Sequence, residues 1–388
     1  MDKVRLGIVG LGNMGRYHVE YLMKGEVKEV VLAAVCDTKP SQLDWAVDHC
    51  GEGVARFDGM DAMIASGLVD AVLIATPHYD HPTLAVEAFG KGMHVLVEKP
   101  AGVYTQAVRI MNETAVASGR VFGIMYNQRA NPLYQKLRDL VQSGELGALK
   151  RTNWIITSWY RPQSYYNSGG WRATWEGEGG GVLLNQDPHQ LDLWQWTCGM
   201  PRRVRAFCSF GKYHDIEVED DVTAYFEYEN GATGVFVTST GDAPGTNRLE
   251  VTGDMGKVVI ENEKLVFSRN RVSERDFNRD FRGGFGEPEC WTCDVPVPKG
   301  EHQYAVITRS WARAILQGTP MLAPGVEGIR GLSISNAIHL SSWTDSWVDL
   351  SRLDEDLFLA KLQERIFAST ARKNVGEVRT LDVHGTNK

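Results

Sequence analysis

An alternation of short apolar runs with helical segments over residues 1–127 constrains the fold more than any other feature of the chain. The runs are rich in β-branched residues and lie at 4–10, 30–37, 70–77, 94–100 and 121–127. Segments with the period of an amphipathic helix separate them, among others at 13–24, 80–90 and 104–118. Apolar strands separated by helices form parallel sheets that are covered on both faces, so the pattern predicts a doubly wound α/β domain.

The pattern changes after residue 128. A helix is predicted at 131–143, and strand-like runs then follow one another without helices, at 204–210, 222–228, 232–240, 246–253 and 256–261. Helical periodicity returns at 302–317, 328–340 and 353–369. Because 388 residues are too many for one typical domain, we predict a doubly wound domain over 1–127 and an α+β domain over 128–388. The second domain has a mostly antiparallel sheet and ends in a frayed tail at 386–388.

Charge and hydropathy exclude several classes of protein. A net charge of −8 implies no basic face for nucleic acid or for an anionic membrane. The first residues lack the apolar stretch of a signal peptide, and no apolar run approaches the roughly 18 residues that span a bilayer. We therefore expect a soluble, cytoplasmic protein with no nucleic-acid or membrane partner.

The cysteine pattern does not indicate a metal site. Of six cysteines, Cys290 and Cys293 have the spacing of half a zinc site or of a redox pair. Tetrahedral zinc needs further ligands close by, and the chain has no second C-x-x-C. We expect a buried or loop-lining thiol pair here, and no metal.

A glycine-rich turn, Gly10-Leu11-Gly12-Asn13-Met14-Gly15, follows the first strand and opens a helix. In this context the first glycine permits a tight turn, Gly12 lets the backbone approach a pyrophosphate, and Gly15 allows close packing of helix on strand. The N–H groups and the dipole of the helix N-terminus favour phosphate. The motif predicts a dinucleotide site that includes Asn13 and Met14.

Asp37 ends the second strand, about 20 residues beyond the glycines. A carboxylate there accepts both ribose hydroxyls of NAD and repels the 2′-phosphate of NADP. Cys36 and Thr38 offer no compensating cation, and we expect Arg16 to point away from the phosphate site. NAD is therefore the predicted cofactor.

Two strand ends supply further candidates. The segment 75–82 lies at the carboxyl edge of the sheet, where ligands of such folds bind, and contributes Thr76, Pro77, His78 and His81 to the predicted cofactor site. A helix start explains this polar cluster better than metal does, with Asp80 as N-cap and Pro82 in the first turn.

Glu98-Lys99-Pro100 ends the strand at 94–100, next to the expected nicotinamide end of the crevice. Glu98 and Lys99 join the cofactor candidates, and Lys99 can donate to a substrate oxygen on which charge develops. The alternative is an ordinary lysine that extends from a strand edge into solvent.

These motifs, together with Gly179-Gly180-Gly181 followed by His189 and Asp192, resemble the glucose–fructose oxidoreductase / inositol dehydrogenase / MocA family over residues 3–345. The resemblance implies that Lys99 lies by the reacting carbon, that His189 accepts the proton, and that Gln128 lies in the cofactor site. It further implies an open-faced second sheet and assembly into a homodimer or homotetramer. Within the family the chain is most similar to sugar and glycoside dehydrogenases, such as levoglucosan and glucoside 3-dehydrogenases.

The chain departs from that family at Asn185, where an aspartate is usual four residues before the histidine. Asp187 is the available carboxylate, and it precedes Pro188 in a pattern that fits either an N-cap or a substrate ligand. If the helix starts there, His189 lies in its first turn and its dipole favours neutral imidazole. Alternatively the helix starts near Val182 and kinks at Pro188, which places Asn185, His189 and Asp192 on one face.

Aromatic side chains are concentrated in residues 154–196, where six of the eleven tryptophans lie: Trp154, Trp159, Trp171, Trp175, Trp194 and Trp196. Aromatic planes mixed with polar groups suit a sugar, which presents C–H faces and hydroxyls, although some of these rings must form the core. The predicted substrate-binding residues are Tyr126, Asn153, Arg161, Trp171, Arg172, Trp175, Asn185 and Asp187. The arginine-rich stretch 269–291 lacks periodicity and is predicted to be a loop, either a lid or a solvated surface segment.

The sequence thus predicts an NAD-dependent oxidoreductase that transfers hydride from a secondary hydroxyl, at C3, of a carbohydrate. One alternative is an NAD-dependent glycosidase that oxidises C3 transiently and eliminates the aglycone. Another is a non-catalytic, nucleotide-sensing regulator, which would not need Lys99 and His189 together.

Overall fold

The first sheet consists of six parallel strands in the order β3-β2-β1-β4-β5-β6. The computed structural model describes residues 2–370, so the predicted tail at 386–388 lies outside the described residues. The strands are β1 (Val4–Val9), β2 (Val30–Cys36), β3 (Ala55–Phe57), β4 (Ala71–Ile74), β5 (His94–Val97) and β6 (Phe122–Ile124). The strand order reverses between β1 and β4, which places a crevice at their carboxyl ends.

Helices connect these strands: α1 (Asn13–Met23), α2 (Pro40–Cys50), α3 (Met60–Ala65), α4 (Asp80–Gly90) and α5 (Thr105–Ser118). The doubly wound arrangement predicted from the sequence is therefore confirmed. The pattern did not reveal β3, because its three residues are only partly buried and form no apolar run.

The second sheet has nine strands in the order β14-β13-β12-β11-β7-β10-β9-β8-β15. They are β7 (Leu149–Ile156), β8 (Arg203–Phe210), β9 (Glu219–Glu227), β10 (Thr233–Ser239), β11 (Asn247–Gly253), β12 (Gly256–Glu261), β13 (Lys264–Asn270), β14 (Cys290–Asp294) and β15 (Val348–Asp349). β7 and β10 pair in parallel, and the other named pairs are antiparallel. The mostly antiparallel second sheet is confirmed.

The remaining helices are α6 (Pro132–Gln142), α7 (Gln163–Tyr166), α8 (Val182–Asn185), α9 (Pro188–Cys198), α10 (Glu274–Asp280), α11 (Gln303–Gln317), α12 (Gly328–Thr344) and α13 (Glu355–Ala368). Short 3-10 turns lie at Asn127–Ala130, Gly325–Glu327 and Leu350–Arg352. α9 packs on the inner face of the second sheet, where a Cβ on Gly234 would lie 2.5 Å from the Trp194 ring. The other face carries exposed side chains such as Ile155, Phe207 and Tyr225.

α11 returns from the end of the chain to the first sheet. A Cβ on Gly123 of β6 would lie 2.7 Å from the Trp311 ring, and the Tyr21 hydroxyl is 2.8 Å from that of Thr308. The first sheet is thus covered in part by residues far beyond position 127. The domain boundary between 1–127 and 128–388 stays a prediction.

The segment 269–291 is more ordered than the predicted loop. It joins β13 to β14, which pair as an antiparallel hairpin, and it contains α10. Cys290 and Cys293 lie in β14, exposed, and an odd spacing in a strand directs them to opposite faces. The expectation of a buried or loop-lining thiol pair is therefore wrong.

Within residues 2–370 no helix is both long and apolar enough to cross a membrane. No group of three or more His, Cys, Asp or Glu residues in that range is arranged to hold a metal ion.

Candidate active site

The glycine turn has the geometry that a dinucleotide needs. Gly10 has φ +91°, and a Cβ on it would lie 2.8 Å from the Ala75 carbonyl oxygen. A Cβ on Gly15 would lie 1.9 Å from the Gly10 carbonyl oxygen, so both positions require glycine. A Cβ on Gly12 would meet nothing within 4 Å, which leaves the approach to the α1 N-terminus free for a pyrophosphate.

Asp37 lies beside this turn. Its carboxylate accepts hydrogen bonds from the backbone N–H of Leu11 at 2.8 Å and from that of Lys39 at 2.9 Å. Arg16 is held against α2, since its guanidinium carbon lies 4.6 Å from the Trp45 ring centroid and its Nε is 3.2 Å from the Gln42 Oε1. These contacts keep Asp37 at the glycine turn and direct Arg16 toward α2.

His81 joins two loops at the crevice edge. Its Nδ1 lies 2.7 Å from the Pro100 carbonyl oxygen and its Nε2 lies 2.9 Å from that of Thr76. Both ring nitrogens therefore face the main chain, and His81 positions the loops instead of offering a free nitrogen to a cofactor. The hydroxyl of Thr76, in contrast, is buried without a hydrogen-bond partner in the protein, so it is available to a cofactor at this edge.

The other residues of this edge differ from their predicted roles in part. His78 is buried, and its Nδ1 lies 3.3 Å from the Glu178 carbonyl oxygen, while Pro77 is exposed. The N-cap of α4 is Tyr79 and not Asp80, which occupies the first turn together with Pro82. Gln128 is nearly buried, with its Oε1 accepting from Asn131 at 3.4 Å.

Lys99 projects from the end of β5 toward the second domain. Its Nζ donates to the main-chain oxygen of Asn185 at 2.8 Å, and its own N–H donates to the Glu98 carboxylate at 3.0 Å. Glu98 is further fixed by the Nε2 of His18 at 2.7 Å. Burial lowers the pKa of Lys99, and the nearby carboxylates of Glu98 and Glu178 oppose that shift.

His189 lies in the first turn of α9 with 4% of its surface exposed. Burial, and then the positive charge of Lys99, lower its pKa well below the usual value. Its Nδ1 has no hydrogen-bond partner, and its ring centroid lies 6.2 Å from that of Tyr126. The imidazole is therefore neutral, which is the form that a general base requires.

The segment before His189 combines the two predicted helix geometries. α8 ends at Asn185, Gln186 and Asp187 break the helix, and α9 starts at Pro188. Asp187 occupies the N-cap position, but its side chain makes no capping hydrogen bond. The predicted capping role is therefore wrong.

The Asp187 side chain is directed inward. It is fully buried beside Trp159 and Thr238, and burial raises the pKa of its carboxyl group well above the usual value. It therefore does not line the crevice as a substrate ligand would. Asp192 is also removed from the site, because its carboxylate pairs with the guanidinium of Arg129 at 2.6 Å in the interior.

Asn185 connects several polar groups. Its side-chain N–H donates to the Glu178 carboxylate, and its Oδ1 accepts from the Tyr165 hydroxyl at 3.3 Å. Glu178 is 2% exposed, and sequence reasoning did not assign it. Nothing in the sequence distinguishes it from Glu176, which is exposed two residues earlier.

Two half-buried arginines border the site. The guanidinium carbon of Arg172 lies 4.7 Å from the Trp171 ring centroid and 4.6 Å from that of Tyr165. That of Arg161 lies 5.3 Å from the Tyr165 centroid. Aromatic rings and guanidinium groups thus adjoin Lys99 and Asn185, and all six of these residues remain partly accessible.

Three predicted substrate residues do not line the crevice. Trp175 is buried against Trp343 and His339, with ring centroids 5.6 and 5.9 Å away. Asn153 alternates with the buried Trp154 in β7 and so lies on the sheet face opposite α9. Tyr126 is 2% exposed and donates its hydroxyl to the Gly328 carbonyl oxygen at 3.4 Å. Its ring packs edge-to-face against that of His189.

Comparison with known proteins gives consistent matches in both domains. Residues 4–126 match the NAD-binding Rossmann fold of an oxidoreductase family, and residues 134–259 match the GFO/IDH/MocA C-terminal domain. The rhizopine catabolism protein MocA of Rhizobium meliloti is 32% identical over 200 residues, 51% of this chain and 58% of that protein. The match thus spans less than two thirds of that relative.

Two further proteins extend the comparison. The D-glucoside 3-dehydrogenase of Escherichia coli is 28% identical over 249 residues, 59% of this chain and 68% of that protein. The WlbA dehydrogenase of Chromobacterium violaceum, solved with NADH and UDP-GlcNAcA, superposes with a TM-score of 0.77 at 25% identity, covering 90% of this chain and 96% of that one. The N-terminal domain is thus an NAD-binding domain, which confirms the predicted cofactor.

Proposed function

Because the chain belongs to the GFO/IDH/MocA family of NAD-binding oxidoreductases, we propose that it oxidises a secondary hydroxyl, at C3, of a sugar or glycoside. The observation that carries the proposal is the pairing of a donor and an acceptor. Lys99 Nζ is fixed on the carbonyl oxygen of Asn185, four residues before a buried neutral His189. The match to a D-glucoside 3-dehydrogenase supports C3 as the position.

Each group has one task in the reaction. His189 accepts the proton of the substrate hydroxyl, since its imidazole is neutral and buried beside Lys99. Lys99 donates a hydrogen bond to the same oxygen and stabilises the negative charge that develops there. Bound NAD supplies the acceptor for the hydride. The α1 N-terminus and the turn with Gly10, Gly12, Asn13, Met14 and Gly15 would hold its phosphates, and Asp37 would hold its ribose.

The remaining predicted contacts belong to the same proposal. Thr76, Pro77, His78, Glu98 and Gln128 border the cofactor, with His81 holding the loops around it. Trp171, Arg161, Arg172 and Asn185 face the sugar, because planar and cationic side chains suit its C–H faces and hydroxyls. We also propose that the chain works in the cytoplasm as a homodimer or homotetramer.

Replacing the base tests the catalytic assignment. His189→Ala and Lys99→Met are each expected to lower kcat by at least about 100-fold, the lower range for a positioned acid–base group. NADH binding, followed by its fluorescence, should be retained. Lys257→Met, at an exposed position of β12 in the second sheet, is the control and should leave kcat unchanged. Near-normal turnover by His189→Ala would contradict the assignment.

A substrate screen separates oxidation from glycosidase chemistry. Monosaccharides, disaccharides, anhydrosugars and aryl glycosides are incubated with NAD or NADP and followed at 340 nm. Net NADH formation supports the dehydrogenase. Release of an aglycone without net NADH would instead identify a glycosidase that retains its cofactor.

A further inference from the structure

A buried carboxylate lies in the glycine-rich segment before α8. Glu178 stands between Gly177 and Gly179 and is 2% exposed. One of its oxygens accepts from the Ala173 N–H at 2.5 Å, and the other accepts from the side-chain N–H of Asn185. The proposed reaction as described assigns no task to this group.

Asn185 links Glu178 to Lys99. Its main-chain oxygen receives the Lys99 Nζ at 2.8 Å, while its side chain is held between Glu178 and the Tyr165 hydroxyl. That hydroxyl in turn accepts from Arg172 at 2.9 Å and from Gln186 at 3.3 Å. Every polar group in this chain of contacts therefore has a defined donor or acceptor role.

The orientation of the Asn185 amide is determined by its neighbours. Its nitrogen must face the acceptor-only carboxylate of Glu178, and its oxygen faces the hydroxyl donor. An aspartate at 185 would place a second carboxylate against Glu178 with no donor between them. The two positions are thus complementary, because together they hold one negative charge.

We propose that Glu178, acting through Asn185, supplies the carboxylate of this site and is a positioning residue for Lys99. Glu178 holds Asn185, whose main-chain oxygen orients Nζ, and it places a negative charge beside the ammonium group. The proposal rests on the proposed function only in that Lys99 is the group served.

The charges around Lys99 determine the sign of the expected pH effect. Burial lowers the pKa of Lys99, two carboxylates raise it, and two guanidinium groups lower it; these groups are Glu98, Glu178, Arg172 and Arg161. The two histidines that sense its charge, His189 and His78, have lowered pKa values. Loss of the Glu178 charge must therefore lower the pKa of Lys99 further.

The burial of Glu178 itself is compensated locally. Burial raises the pKa of its carboxyl group and so does Glu219, whereas Arg172 and the donors on Ala173 and Asn185 lower it. Neutralising position 178 with glutamine removes this charge and changes the volume little.

The test compares Glu178→Gln with Glu176→Gln, the exposed control in the same segment. For Glu178→Gln we expect kcat to fall by at least about 10-fold and the alkaline limb of kcat/KM to move to lower pH, with the acid limb unchanged. Glu176→Gln should match the wild type. A fall in kcat without movement of the alkaline limb would indicate a merely structural role and overturn the proposal.

An exchange of the two side chains provides a second test. Asn185→Asp alone should lower kcat by about 100-fold, because a second carboxylate then faces the buried carboxylate of Glu178 without a donor between them. The double variant Glu178→Gln/Asn185→Asp restores one carboxylate and one amide, so kcat should recover by at least about 10-fold relative to Asn185→Asp. A double variant with a kcat no higher than that of Asn185→Asp would overturn the proposal. This test remains decisive even where Glu178→Gln alone does not fold.

A measurement without substrate separates this proposal from the proposed function. Trace acetylation of Lys99 by acetic anhydride at a series of pH values, read by peptide mass spectrometry, reports the titration of its amine. The midpoint of the Lys99 titration should lie at lower pH in Glu178→Gln than in the wild type or Glu176→Gln. This result does not depend on which sugar the protein oxidises. An unchanged midpoint contradicts the Glu178 proposal alone, whereas turnover by His189→Ala contradicts the proposed function alone.

Discussion

Lys99 and His189 illustrate how burial adjusts single residues for chemistry. Both side chains lose favourable hydration of their charged forms, and the lysine charge disfavours protonation of the nearby imidazole. The proposed substrate hydroxyl therefore meets a protonated donor, Lys99, and a neutral acceptor, His189. An exposed lysine would also be protonated at neutral pH, whereas burial and the lysine charge favour the neutral form of His189.

The pH profile should reflect both shifts. His189 must be neutral, and its pKa lies below the usual 6.5, so activity should persist on the acid side until below that value. Lys99 must be protonated, and its pKa lies below the usual 10.5, so activity should fall on the alkaline side before that value. The check is kcat/KM against pH.

Lys99→Arg is the informative control for this profile. Arginine stays protonated to far higher pH, so the variant should be slower and its alkaline limb should move up or vanish. An alkaline limb at the wild-type position in Lys99→Arg would show that another group titrates there.

At the scale of elements, the β1–α1 turn separates packing from binding. Gly15 is required because a Cβ would collide with the Gly10 carbonyl, while Gly12 has a backbone conformation, φ −66° and ψ −168°, that alanine adopts easily. Neither packing nor backbone conformation requires glycine at position 12, so we attribute this glycine to the close approach of a phosphate.

Two alanine variants should therefore behave differently. Gly12→Ala should keep the wild-type Tm and weaken NADH binding by about 10-fold or more, or about 1.4 kcal/mol. Gly15→Ala should lose about 1–3 kcal/mol of stability through overpacking and weaken binding as well. Calorimetry and NADH fluorescence measure the two quantities. Unchanged NADH affinity in Gly12→Ala would place the cofactor elsewhere.

At the scale of the whole molecule, buried contacts fix α9 beside the turn that follows the first domain. The Arg129–Asp192 pair, with 1% of each side chain exposed, joins the turn after β6 to the helix that carries His189. The Tyr21 hydroxyl contacts both the Thr308 hydroxyl of α11 and the Nδ1 of His18. The Nε2 of His18 in turn contacts the Glu98 carboxylate. Lys99 and His189 come from different domains, so their relative position depends on how the two domains pack together.

The exposed face of the second sheet is where assembly should occur. Phe207 is 62% exposed, and Ile155 and Tyr225 are also exposed on this face. Phe207→Glu should convert the proposed homo-oligomer to smaller species, as measured by light scattering, with NADH affinity unchanged. A wild type that is monomeric at all concentrations would contradict the proposed assembly.

Features that depend on a local pattern of residues could be predicted without the structure. Apolar periodicity predicted the doubly wound sheet, the spacing of the glycines predicted the turn, and their places after strands made Asp37 and Lys99 candidates. The role of His189 is implied by the family resemblance and not by a local pattern. The aromatic stretch was ambiguous, because β7 alternates between faces and directs Trp154 inward and Asn153 outward.

Which polar groups contact one another depends on the packing of elements that are distant in the chain. Glu178 and Glu176 are equivalent in the sequence, and packing buries one against Asn185 and leaves the other in solvent. Asp187 and Trp175 have suitable chemistry but are enclosed by neighbours distant in the chain. Burial and long-range hydrogen bonds depend on the surfaces that elements bury against each other, and no local pattern encodes them.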